Sequence, residues 1–205
     1  MKKLTKWFLA TKFWKWLLLT VLPGVRWSVG YTKIRGWVYK RGYRKLYPGC
    51  IICTVDENKA SVLIPGTWSH SALCVAKTPD CEFEVSEMTQ HNFTESCFFD
   101  ICKEADRVLI GICDDWDIMY IRKVIEKNKS FKDKLYDVQF AMNDEALSCS
   151  ESIYHSDFEH RLKVNLEDIA GLGHEYISPD GLTKASNFRV IWDSEDEFKS
   201  CPGRH

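Results

Sequence analysis

From Cys50 onward the chain is a succession of short apolar runs closed by turn residues, and this texture restricts the fold more than any other feature. Cys50–Val55 and Ser61–Ile64 read as strands around the polar Asp56-Glu57-Asn58 turn, and Pro65-Gly66 makes the next turn. Ser71–Ala76 reads as a third strand with His70 at its mouth. Glu82–Met88 alternates enough to be a fourth, and Arg107–Cys113 is apolar enough to be a buried one. Asp114 or Asp115 then stands where a cap belongs, before a helix running to about Lys127. Tyr136–Phe140 leads toward a further helix at Cys149, Ile177–Gly181 reads as a turn, and Asn187–Trp192 as a last strand. Strands flanked by few helices, with no internal repeat, give an expected α+β class.

The N-terminal stretch has another character. Up to Tyr47 it holds twelve Lys and Arg and no acid, whereas the remainder holds sixteen bases against 29 acids, a net of −13. The chain of 205 residues is therefore divided into a basic, aromatic helical segment, 1–46, and a body, 47–205. The longest uncharged run of the segment, Trp16–Val25, is shorter than the ~18–20 residues that cross a bilayer. Lys12 and Lys15 interrupt what would be the apolar region of a signal peptide. Residues 4–22 then suit either an interfacial helix on an anionic membrane or a helix docked on the body with its lysine stems over apolar surface. The lysines do not gather on one helical face, which favours docking. The basic and aromatic mixture of Tyr31–Tyr47 is of a kind that touches RNA or lipid head groups, although such runs are more often a solvated helix face. Peripheral membrane contact through 1–46 is kept as a partner expectation; nucleic acid is not expected.

Nine cysteines, an odd number in apolar surroundings, suit a reducing, cytoplasmic compartment in which thiols serve as small hydrophobes. Cys50 and Cys53 have Cys-x-x-Cys spacing, but on a strand they face opposite sides and no second pair follows at zinc-site distance. No metal or cofactor is expected.

Chemistry gathers at Leu147–Tyr154. Ser148 and Glu151 form a capping-box pattern, which puts Cys149 at the first helical position. There the helix dipole and free N–H groups favour a thiolate. A nucleophilic thiol needs a base and a group to orient it. His70 is the candidate base, and Glu87 the orienting acid, with Glu84 as the alternative because alternation puts the two on opposite faces. Trp68 suits an acyl-pocket wall or the core equally, Asp137 a turn or capping role, and His91, His155, His160 and His174 the surface.

Six pieces in order, Tyr47-Pro-Gly-Cys-Ile-Ile, Ile64-Pro-Gly-Thr-Trp-Ser-His70, Val85-Ser-Glu87, Tyr136-Asp-Val-Gln-Phe140, Ser148-Cys-Ser-Glu151 and Ile177-Ser-Pro-Asp180, resemble the circularly permuted papain-like hydrolases of the NlpC superfamily. The similarity is to the YiiX/YebB-like branch, which has poxvirus and phage members and in which the His precedes the Cys. It spans Tyr47 to Trp192. It implies a small antiparallel sheet or partial barrel packed against helices, here with an N-terminal helical extension. It also implies a cysteine peptidase or amidase with Cys149 as nucleophile, His70 as base and Glu87 as orienting group. Two departures stand out: Cys50 where the family usually has Asp, and His70-Ser-Ala-Leu where it usually has His-x-Gly-Ile. The expected activity is hydrolysis or transfer of a peptide, amide or lipid-acyl group through an acyl-cysteine. The alternative is a catalytically silent module that binds membrane or nucleic acid through its basic segment.

Overall fold

A computed structural model describes residues 34–56, 66–80, 82–89, 91–137, 140, 142, 145–168 and 175–200. The readings for residues 4–22 and for a strand at Ser61–Ile64 lie outside them. The class is α+β: a six-stranded, wholly antiparallel sheet packed against six helices. In chain order the sheet comprises β1 (Ile51–Val55), β2 (His70–Lys77), β3 (Phe83–Thr89), β4 (Asn92–Cys97), β5 (Arg107–Cys113) and, last of the described strands, β10 (Phe188–Asp193). Their spatial order is β10-β5-β1-β2-β3-β4.

Both faces of the sheet are covered, which explains why β1 and β2 are near-continuous apolar runs instead of alternating ones. On one face Cys50, Ile52, Cys74, Val85 and Ile110 meet helix α1 (Gly36–Lys45) and helix α2 (Phe98–Glu104). On the other, Ile51, Cys53, Leu73 and Leu109 meet helix α3 (Ile118–Lys129), helix α4 (Cys149–Ser156) and the short α5 (Pro179–Thr183). Cys50 and Cys53 thus belong to opposite cores. The sixth helix, α6 (Ser194–Ser200), follows β10. Two-residue ladders join β6 (Leu135–Tyr136) to β7 (Ala146–Leu147) and β8 (Glu167–Asp168) to β9 (Glu175–Tyr176).

Helix α1 shows how the basic stretch after residue 34 is accommodated. Val38 and Gly42 are buried, Tyr39 stacks on Phe98 and Tyr43 meets Phe83 edge-on, while Arg35, Lys40, Arg41, Arg44 and Lys45 face solvent. A Cβ on Gly42 would stand 2.9 Å from the Trp192 ring, so the helix approaches β10 this closely because residue 42 has no side chain. No described helix is long and apolar enough to cross a membrane.

Several local features differ from the sequence reading. Helix α3 is capped by Asp117, whose carboxylate accepts from the N–H groups of Met119 and Tyr120. Asp114 and Asp115 are in the preceding turn, engaged by Arg189 and Asn187. Residues 177–181 do not form a simple turn: Ser178 caps α5, accepting from Gly181 N–H. Strand β4 and helix α2 have no counterpart in the reading, because the half-exposed edge strand Asn-Phe-Thr-Glu-Ser-Cys is polar and α2 has no side-chain cap.

Gly111 of β5 lies under the Phe188 ring of β10, and a Cβ there would come within 2.0 Å of that ring. Gly111→Val is expected to destabilise the fold by about 1–3 kcal/mol through this overpacking. A lower urea midpoint with an unchanged slope is the expected reading.

Candidate active site

Strand β7 delivers the chain to Ser148, whose hydroxyl accepts from Glu151 N–H while the Glu151 carboxylate accepts from Ser148 N–H at 2.6 Å. This capping box starts α4 and makes Cys149 its first residue. Glu151 is buried and its second oxygen accepts from Met142 N–H at 3.0 Å, tying the preceding loop to the same helix end. Cys149 packs with Leu147, Phe131 and Met88 and is only 3% exposed.

Helix α4 presses this end against the start of β2. There the Cys149 thiol interacts with His70 and Ser71, both of which act to lower its pKa, and lies 3.8 Å from the Ser150 hydroxyl. The Ser71 hydroxyl also lies 3.3 Å from that of Ser150, and both serines are buried. On its other side the His70 ring donates from Nε2 to Glu87 at 2.6 Å, leaving Nδ1 as the nitrogen available to sulfur. Glu87 pairs across the sheet with Ala72, two residues beyond His70, so His70 and Glu87 share a face. Its other oxygen accepts from the Ser96 hydroxyl at 2.8 Å. Glu84 is turned away and pairs with Lys129 at 3.1 Å. His70, Glu87 and Ser96 are therefore linked by hydrogen bonds, and Cys149 interacts with the same His70 ring.

Electrostatics separates Cys149 from the other thiols. Burial by itself would push its pKa up, but the hydrogen bond and charge of His70 and the two donors of Ser71 outweigh burial and hold it below the ordinary thiol range. His70 moves the other way. Burial disfavours its cation, yet the sulfur and the Glu87 carboxylate bonded to it raise its pKa well above the ordinary histidine range. The pair thus favours thiolate and imidazolium. Burial raises the other shifted thiols, Cys50 to about 12 and Cys113 to about 11, with Cys53, Cys74, Cys97 and Cys102 shifted in the same direction. All seven described cysteines are free thiols.

The loop before His70 is held from α5. The buried Asp180 accepts from the N–H groups of Thr67 and Trp68 at 2.9 and 2.7 Å, and Gly66, at φ +127°, leaves room for that carboxylate. Asp180→Ala strands both donors, and an expected loss of about 2–4 kcal/mol follows, with Asp180→Asn losing about 1 kcal/mol because one acceptor oxygen remains. Thermal unfolding of the two variants checks this order. Trp68 is a core residue, buried with the Arg107 guanidinium 4.7 Å from its ring centroid. Asp137 is buried next to β6, its N–H donating to Leu147. His91 and His160 are exposed, His155 is half-buried at the far end of α4, and His174 lies outside the described residues.

Sequence reasoning missed Ser71 and Ser96. Ser71 follows the candidate base directly, and that adjacency was the only signal for it. Ser96 had none, since it sits on the unread edge strand.

No family model matches this chain, and no curated protein does. Among solved structures it is similar to the metalloprotein YiiX from Escherichia coli O157:H7, with a TM-score of 0.59 and 13% identity over 72% of this chain and 97% of that one. The chain therefore has a YiiX-like fold. Among the described residues no group of three or more His, Cys, Asp or Glu side chains is arranged to hold a metal ion.

Proposed function

We propose that this chain is a thiol hydrolase of the permuted papain-like kind, cleaving or transferring an acyl group through an acyl-cysteine at Cys149. The observation that carries the reading is the continuous Cys149–His70–Glu87 arrangement on a helix N-terminus, with the Cys149 pKa lowered and that of His70 raised. The chain order, His before Cys, is the one the permuted arrangement requires.

In the first step the Cys149 sulfur forms a bond to the carbonyl carbon, and the carbonyl electron pair moves to oxygen. The N–H groups opening α4 offer that oxyanion a donor. Tyr136 packs against the same cluster as Cys149. His70, as imidazolium, then gives its proton to the departing amine or alcohol while Glu87 fixes the ring. Water or another acceptor, deprotonated by His70, attacks the thioester and frees the thiol. Peptide, amide and lipid-acyl groups are all substrates of this type of chemistry.

Incubation with p-nitrophenyl acetate, followed by peptide mass spectrometry, tests the reading. The expected result is a one-equivalent burst of nitrophenol with acetyl on Cys149, abolished in Cys149→Ala. Acetyl spread over other residues, or none on Cys149, contradicts it.

A further inference from the structure

Beside the Cys149 sulfur lie two hydroxyls that the acyl-transfer steps do not use. The Ser150 hydroxyl is 3.8 Å from the sulfur, and the Ser71 hydroxyl of β2 is 3.3 Å from that of Ser150. All three residues are buried, none more than 3% exposed. The other serines of α4 bond to the helix itself: Ser152 donates to the Cys149 carbonyl and Ser156 to that of Ser152. Ser150 alone among them reaches across to β2.

A buried sulfur anion is costly unless donors replace the water it has lost. A hydroxyl carries one proton and can turn, so it accepts from a thiol and donates to a thiolate. With the sulfur ionised, the Ser150 proton turns to it, and the Ser150 oxygen is free to accept the proton of Ser71. Each bond of such a chain strengthens the next. The ionisable groups around the sulfur are His70 of β2 with Glu87 of β3 behind it, Cys53 of β1, Tyr136 of β6 and Glu151 of α4 itself. Replacing either serine leaves all of them in place.

We propose that Ser150 and Ser71 form a directed pair of hydroxyl donors to the Cys149 sulfur, Ser150 touching the reacting atom and Ser71 positioning Ser150. This role presupposes the thiol chemistry proposed above and adds a consequence to it. A sulfur held by donors is ionised at lower pH but, once ionised, is less nucleophilic.

The test is the rate of Cys149 alkylation by iodoacetamide against pH, read by peptide mass spectrometry in the native chain and in serine variants. Ser150→Ala is expected to move the acid limb up by about one pH unit, the scale of a lost hydrogen bond to a charged group. Its high-pH plateau is expected to rise about threefold, as the freed thiolate gains nucleophilicity. Ser71→Ala is expected to move the limb in the same direction, and the double variant no further than Ser150→Ala alone, because Ser71 acts through Ser150. Ser156→Ala is the packing control, since that buried hydroxyl bonds to Asn128 and not to sulfur. It is expected to lower the thermal midpoint and leave limb and plateau native. An unmoved limb in Ser150→Ala, a rate lowered equally at every pH, serine effects that add, or an equal shift in Ser156→Ala overturns the pairing. His70→Ala in the same series keeps the two ideas apart. A native limb below the ordinary thiol range that rises in His70→Ala, with serine variants matching the native chain, overturns the hydroxyl pair and leaves the thiol chemistry standing. A native limb at the ordinary thiol value contradicts both.

Discussion

His70→Ala is expected to slow alkylation of Cys149 by iodoacetamide about 100-fold at pH 6. The size follows from the thiolate fraction. An unassisted thiol of pKa ~8.5 is only about 0.3% ionised at that pH, whereas the native Cys149 is held below the ordinary range by the hydrogen bond and charge of His70. Removing the imidazole leaves Ser71 and the helix terminus to oppose burial, and burial is the largest single influence on this thiol. The other described thiols are controls in the same experiment, since their pKa values are shifted upward and most are buried. Residue-by-residue mass spectrometry of the alkylated protein reads the change.

The second large effect is at Glu87, where two substitutions separate charge from orientation. In Glu87→Gln the amide oxygen still accepts from the Nε2–H of His70, and the amide NH₂ still faces the Ser96 hydroxyl, so the ring stays in place but the carboxylate charge is gone. His70 has its pKa raised partly by that charge. The acid limb of the acetylation rate reports formation of the Cys149 thiolate, and the basic limb reports loss of the His70 proton. The native profile should therefore rise below the usual thiol range and fall above the usual histidine range. Glu87→Gln is expected to draw the basic limb down by about one to three pH units and to move the acid limb much less. Glu87→Ala removes orientation as well, and a fall of about 10²–10⁴ in acetylation rate is expected, the range for a misplaced general acid or base. The pH profile of the p-nitrophenyl acetate burst distinguishes the three proteins.

These residues also show where a single sequence is informative. The start of α4 was legible because its signal is local: Ser148 and Glu151 are three residues apart and cap each other. The strands β1, β2, β3 and β5 were legible because burial on one or both faces leaves a dense apolar record, whereas the largely exposed β10 was legible from its β-branched and aromatic run Val190-Ile191-Trp192. The choice between Glu84 and Glu87 was not legible, since it depends on strand register and on which helix covers which face. The structure places Glu84 with Lys129 of α3 and Glu87 with His70. Strand β4 was hidden for a related reason. An edge strand satisfies one side of its backbone in the sheet without needing apolar side chains, so its Ser96 resembles any loop serine until the ladder with β3 sets it beside Glu87. The cap of α3 was misplaced because three aspartates, Asp114, Asp115 and Asp117, stand together, and only tertiary partners such as Arg189 and Asn187 sort them. Helix α1 posed the opposite problem. Its charges dominate the sequence, while Val38, Gly42, Tyr39 and Tyr43 make its contacts with the core.

The most direct measurement is the ultraviolet absorbance of thiolate against pH, taken as the difference between the native chain and Cys149→Ala, and repeated in the His70→Ala background. A thiolate–imidazolium pair predicts one equivalent of thiolate forming below the ordinary thiol range, and a shift of that transition to higher pH when His70 is replaced. If the difference absorbance instead emerges only near pH ~8.5 or above, with or without His70, Cys149 is an ordinary buried thiol and the proposed acyl-transfer chemistry is contradicted.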